Sequence, residues 1–173
     1  MDGKVWQSLE KLRNYIERQD YAGYDPYDAL NSPFLKTLSS KSKWVRIAFT
    51  QLLRRCPVNL RPILRVKKGY NPKGIGLFLG GYSRLFSVTQ DEKLLPKIEY
   101  VTKLLELLGS TGYSGNCWGY NFDWQSRTFF RPKWTPTVVN TAFIGHALVA
   151  GMGVSCAGGI SLHRRQRSED RGQ

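Results

Sequence analysis

Between Tyr113 and Pro136 the chain carries Tyr113, Trp118, Tyr120, Phe122, Trp124, Phe129, Phe130 and Trp134, in a stretch broken by glycine, asparagine, serine and proline. A fold cannot leave so many rings in water, since a large aromatic side chain buries on the order of 150–250 Å². The rest of the chain must give this segment a wall to pack on, or the segment must itself line a cavity. The polar groups set between the rings are Asn116, Asn121, Asp123, Gln125 and Arg127. They suit a cavity, because sugar sites combine ring faces with planar hydrogen-bonding groups. Hydrophobic anchoring of a long loop is the competing use.

On either side the spacing of apolar residues is helical. Residues 3–19 place Val5, Leu9, Leu12 and Ile16 on one face. A second helix over 41–55 has Trp44, Ala48 and Leu52 on one stripe and Val45, Phe49 and Leu53 beside it, and Pro57 ends it. A short helix is expected at 60–66, with Pro62 tolerated in its first turn. Residues 75–87 turn Ile75, Phe78, Leu79, Tyr82 and Phe86 inward, and their glycines point to close helix packing. The capping-box pattern Thr89-Gln-Asp-Glu92 precedes a helix over 92–109 that repeats Leu94, Ile98, Val101, Leu105 and Leu108. The last helix covers 137–149. Strand alternation and Asn-Gly hairpin signals are missing, so the expected class is all-α.

If successive helices form αα-hairpins, the loops between them alternate between the two ends of the bundle. Loops 20–40, 67–74 and 111–136 then share one end. These are the long ones rich in rings, glycine and asparagine, so that end reads as the functional face.

The formal charge of +13 over 173 residues makes an anionic partner plausible. The basic residues are scattered and no nucleic-acid motif accompanies them, which leaves an acidic polysaccharide, a membrane surface or a solvated basic face. Cys56, Cys117 and Cys156 form neither a disulfide framework nor a metal-ligand spacing, and His146 and His163 are too few for a histidine-rich metal centre. No cofactor is expected. The opening residues are amphipathic, so no signal segment is read there and the cytoplasm is the expected address.

Lys67-Lys-Gly-Tyr-Asn-Pro-Lys-Gly74, the run from Tyr113 to Arg127, and Thr135-Pro-Thr-Val-Val139 resemble bacterial six-hairpin, α/α-toroid proteins encoded with polysaccharide-biosynthesis genes. Gly23-Tyr-Asp-Pro-Tyr-Asp28 fits the same group. The resemblance covers roughly residues 3–149. It implies a toroid of helical hairpins with a cavity open at one end, and a role near sugar-polymer assembly or processing. Such toroids continue with further hairpins, whereas this chain turns at about Ala150 into a glycine-rich and then basic tail. The expectation is therefore a partial toroid domain over 1–149 and an atypical tail over 150–173, as in a truncated or frame-shifted N-terminal portion. Half a ring leaves apolar helix faces uncovered, so self-association is expected. A rival reading takes 137–162 as a membrane span followed by Arg164, Arg165 and Arg167.

Glycoside hydrolysis uses two carboxylates, and the candidates on the proposed face are Asp123 with Asp25 or Asp28. The competing uses are an ion pair of Asp123 with Arg127, and turn or capping duty for Asp25 and Asp28. Tyr113, Trp118, Tyr120, Trp124 and Trp134 are the expected stacking platforms, with Asn116, Arg127, Tyr70 and Asn71 as polar partners. Cys117 with His146 is a weaker nucleophile–base pair, since a small buried cysteine and a core histidine account for both. A carbohydrate-processing enzyme of hydrolase, lyase or epimerase type and a non-catalytic glycan-binding or assembly partner both remain open, with a membrane-tethered protein third.

Overall fold

The structure is a computed structural model that describes residues 3–39 and 41–157. Among them are helices α1 (Gly3–Arg18), α2 (Pro33–Leu38), α3 (Lys43–Arg55), α4 (Pro72–Thr89), α5 (Leu95–Leu107) and α6 (Val138–Ala157). A two-stranded antiparallel hairpin joins β1 (Trp124–Gln125) to β2 (Phe130–Arg131), with Trp124 opposite Arg131 and Gln125 opposite Phe130. The expectation of a purely helical chain is corrected by this hairpin. Its turn is closed by Ser126, whose hydroxyl accepts from the Thr128 and Phe129 N–H groups at 3.1 and 2.9 Å, so no Asn-Gly signal was there to find.

The core is built by α4, α5 and α6. Leu94, Ile98, Val101 and Leu105 are almost fully buried against Ile75, Leu79, Tyr82 and Phe86, the residues whose spacing marked them as inward-facing. A Cβ placed on Gly76 would lie 2.9 Å from Ile144, and one on Gly80 3.8 Å from Ala147, so α4 and α6 pack closely and in step along their lengths. The two helices are parallel, and α5 returns along α4 after the short connection at 90–94. Gly151 meets Leu79 and Val154 joins the core, so α6 continues past residue 149, where the apolar pattern had suggested an end. No helix among the described residues is long and apolar enough to cross a membrane. The basic residues from 158 onward lie outside the described residues.

Two prolines read as loop residues instead start helices. Ser32 caps α2, its hydroxyl accepting from Leu35 N–H at 3.3 Å with Pro33 in the first turn; Asn71 caps α4, accepting from Lys73 N–H at 3.1 Å with Pro72 next. The helix expected at 60–66 is absent. Leu64 N–H bonds Leu60 O once, and Arg65 then takes a left-handed φ of 55°. A single turn without continuation gains too little to offset its nucleation. The start of α5 also differs: Thr89 ends α4 and donates to Leu85 O, while Asp91 caps a 3-10 turn over Glu92–Leu94 that leads into α5.

Several apolar side chains expected inside are exposed: Val5 and Leu12 of α1 and Trp44 and Leu52 of α3 face solvent. Of the two faces that half a ring was expected to leave uncovered, the one at Val139 is exposed, whereas Leu105 is fully buried under α4 and Trp118. Ile16 of α1 does reach the core, where Tyr21 also packs. Beside it, Asp20 accepts from both Tyr70 and Tyr100 at 2.7 and 2.8 Å, and that bond holds the Tyr100 phenol up to about 12.

Candidate functional site

The three loops expected at one end do meet there, although the helix count behind that expectation changes. α2 is gained and 60–66 is lost, so the two errors cancel and the alternation survives. Gly23 and Gly69 exchange both backbone hydrogen bonds, at 3.1 and 2.9 Å. The Ser32 hydroxyl donates to Leu64 O at 2.7 Å, and Asn31 Nδ2 donates to Asn121 O at 3.2 Å. Asn71 Nδ2 donates to Asp25 Oδ2 at 2.7 Å. All four contacts start from loop 20–40: three reach the connection between α3 and α4 and one reaches Asn121, so this loop ties the other two.

A cavity of about 220 Å³ opens at this junction, lined in part by Tyr24, Asp25, Asp28, Asn31, Asn71 and Asn121. A Cβ on Gly69 would lie 3.0 Å from Asn121 Nδ2, so a side chain there would press on that amide. Asn121 Oδ1 is buried without a hydrogen-bond partner among the described residues. Such an acceptor is uncommon and marks a place where a donor is wanted.

Both carboxylates of the cavity are already engaged. Asp28 is 3% exposed and pairs with Arg61 Nε at 2.8 Å, while its other oxygen accepts from Asp25 N–H at 3.0 Å. Arg61 also donates to Asp25 O at 2.9 Å. Burial raises the Asp28 carboxyl above the usual aspartate range, and outweighs the opposing pull of Arg61. Asp25 accepts from Tyr27 N–H at 2.9 Å as well as from Asn71. This is the turn duty weighed against catalysis for both residues.

The other predicted residues separate into three groups. Trp118 is a core side chain, its Nε1–H donating to Leu105 O at 2.8 Å. Asp123 lines neither cavity and does not pair with Arg127: Lys36 Nζ sits 2.7 Å from Oδ2, and Lys133 N–H donates to Oδ1 at 2.9 Å. Asp123 therefore anchors the aromatic segment to α2. Tyr113 and Asn116 are exposed, the Trp134 backbone donates to Tyr120 O and accepts from the Ser110 hydroxyl, and Tyr70 turns to Asp20. Tyr120 stacks on Phe122 at 5.0 Å and meets Trp124 edge-on at 5.9 Å. Trp124 and Arg127 line a separate cleft of about 410 Å³. Cys117 is half-buried, His146 is exposed on α6 and not in the core, and no hydrogen bond joins them.

No family model, curated protein or solved structure matches the chain. Sequence reasoning missed Arg61, Asn31 and Lys36, which do most of the tying. Only Asn31, one residue before the Ser32-Pro33 start signal, stood beside a recognisable motif.

Proposed function

We propose that the chain binds a glycan in the cavity where the three loops meet, as a carbohydrate-associated protein of bacterial polysaccharide biosynthesis or processing. The observation that carries this reading is the grouping of three side-chain amides, Asn31, Asn71 and Asn121, with a carboxylate and the Tyr24 ring around one cavity, one amide oxygen lacking a donor. Sugar hydroxyls both donate and accept, which suits amides better than a site of one charge. The bacterial polysaccharide setting comes from the sequence resemblance. Parallel α4 and α6, joined through an α5 that returns along α4, fit a ring of helical hairpins, of which this chain would form an arc.

Binding is favoured over turnover. A hydrolase needs one carboxyl free to give its proton and another free to act as base or nucleophile, whereas Asp28 is locked to Arg61 and Asp25 to two N–H donors. The test is calorimetric titration with a panel of neutral and acidic oligosaccharides. Asn121→Ala is expected to weaken the best ligand about tenfold, the equivalent of one or two hydrogen bonds at ~1 kcal/mol each, with the unfolding midpoint unchanged. Undiminished affinity in that variant, or no binding across the panel, sinks the reading.

The exposed apolar side chains of α3 and α6 support self-association as well. Sedimentation velocity over a hundredfold dilution should show the average mass falling towards that of one chain. A single-chain mass at every concentration would refute it.

A further inference from the structure

The cleft of about 410 Å³ lies between α3 and the hairpin, and its charge is one-sided. Arg54 and Arg55 enter from α3, and Arg127 enters from the turn of the hairpin; no aspartate or glutamate lines it. None of the three arginines forms an ion pair with a described residue, whereas Arg61, Lys36 and Lys97 are each paired with a carboxylate. Arg54 has only the face of Tyr27, 5.0 Å away.

A position in the last turn of α3 accounts for Arg54 and Arg55, since cations there meet the negative end of the helix dipole. It does not account for Arg127, which a different element carries to the same cleft. The wall that carries it is firmly built. Arg46 of α3 donates to Gln125 Oε1 at 2.8 Å and lies 5.0 Å over the Phe130 ring, while Gln125 Nε2 donates to Ser126 O and Phe129 O across the turn. Trp124, on the same wall, meets Phe129 edge-on at 5.4 Å. Arg54, Arg55 and Arg127 are exposed, so water and salt screen their repulsion, and the planar guanidinium fork of each matches a carboxylate or phosphate.

We propose that this cleft is an anion subsite for an acidic sugar residue, whose carboxylate is received by Arg54, Arg55 and Arg127 while its ring lies against Trp124. The sugar part of the assignment rests on the glycan reading above; the anion part rests on the cleft alone. A nucleic acid would be drawn by the same charges, but of the two half-buried rings at the cleft Tyr27 is already covered by Arg54, and the part of Trp124 left open suits one sugar unit better than a stack of bases.

The experiment is an amide and indole NMR titration of the whole chain, with the Trp124 indole assigned from Trp124→Phe. The probes are D-glucuronate, D-glucose, inorganic phosphate and a short oligothymidylate. Glucuronate should shift the Trp124 indole and the Arg127 amide, with glucose binding at least about tenfold more weakly. Arg127→Gln should weaken glucuronate about tenfold, and Arg127→Lys should restore only part of that, since lysine keeps the charge and loses the fork. Equal responses to glucose and glucuronate, or a glucuronate response indifferent to Arg127, overturn the proposal and leave the three-loop glycan cavity unaffected. Phosphate binding without any glucuronate response overturns the acidic-sugar assignment. A tighter, Arg127-dependent response to oligothymidylate than to glucuronate overturns it in favour of a nucleic acid.

Discussion

Trp118→Ala is expected to destabilise the fold by about 3–5 kcal/mol, the usual range for truncating a buried large ring. The indole is 5% exposed and packs in the core between α5 and the start of α6. It also carries three hydrogen bonds across elements: Nε1–H to Leu105 O at 2.8 Å, the backbone N–H to Thr141 Oγ1 at 3.2 Å, and its carbonyl accepting from Thr137 N–H at 3.0 Å. The substitution empties the ring site and strands the Leu105 carbonyl. Against a total stability of roughly 5–15 kcal/mol, that is enough to populate the unfolded chain. Urea unfolding measures it directly. Trp118→Phe should recover most of the loss, because only the indole donor is then missing. If Trp118→Ala unfolds at the same urea concentration as the parent and loses oligosaccharide affinity instead, the ring is a binding platform after all.

Arg61→Ala is expected to cost a similar amount, about 3–5 kcal/mol at neutral pH, as is usual when one partner of a buried ion pair is removed. Arg61 holds the Asp28 carboxylate and the Asp25 carbonyl together, so the loop that shapes the cavity depends on it. The loss has a definite pH dependence. Burial already raises Asp28, and removing the cation raises it further. A carboxyl raised in the folded state contributes stability that is fully present below its unfolded value and lost as pH rises through the folded one. The variant should therefore be closest to the parent in acid and fall away from it towards neutrality. Unfolding free energies at a series of pH values test this. A constant difference at all pH values would mean that Asp28 stays ionised throughout, and that account of the pair would have to be given up.

The helical core was legible because its signal is periodic. Leu94, Ile98, Val101 and Leu105 recur at three and four residues, and each is buried. Boundaries were less legible where one residue type serves two purposes. Pro33 and Pro72 read as loop residues because proline marks turns as well as first helical turns, and the deciding residue is the capping Ser32 or Asn71 before them. The exposed stripe of Trp44 and Leu52 shows the opposite failure, in which helical spacing marks a face without saying what covers it. The end of the molecule that gathers the loops could be inferred from alternation alone. Which side chains line the cavity could not, because Arg61, Asn121 and Asp25 are brought together by hydrogen bonds between distant segments that leave no local pattern. Aromatic richness was misleading for the same reason, as Trp118 spends its ring on the core while Trp124 keeps part of its ring at a cleft.

The close contact of Gly76 with Ile144 has a mechanical consequence. Loops 56–71 and 108–137 enter the molecule at the starts of α4 and α6, so the gap between those two helices acts as a spacer for the cavity mouth. A methyl group added at Gly76 would have to push the helices apart near their starts. The width of the mouth would then change without any lining residue being touched, and a family of such chains could be tuned to thicker or thinner ligands from a position hidden inside the bundle.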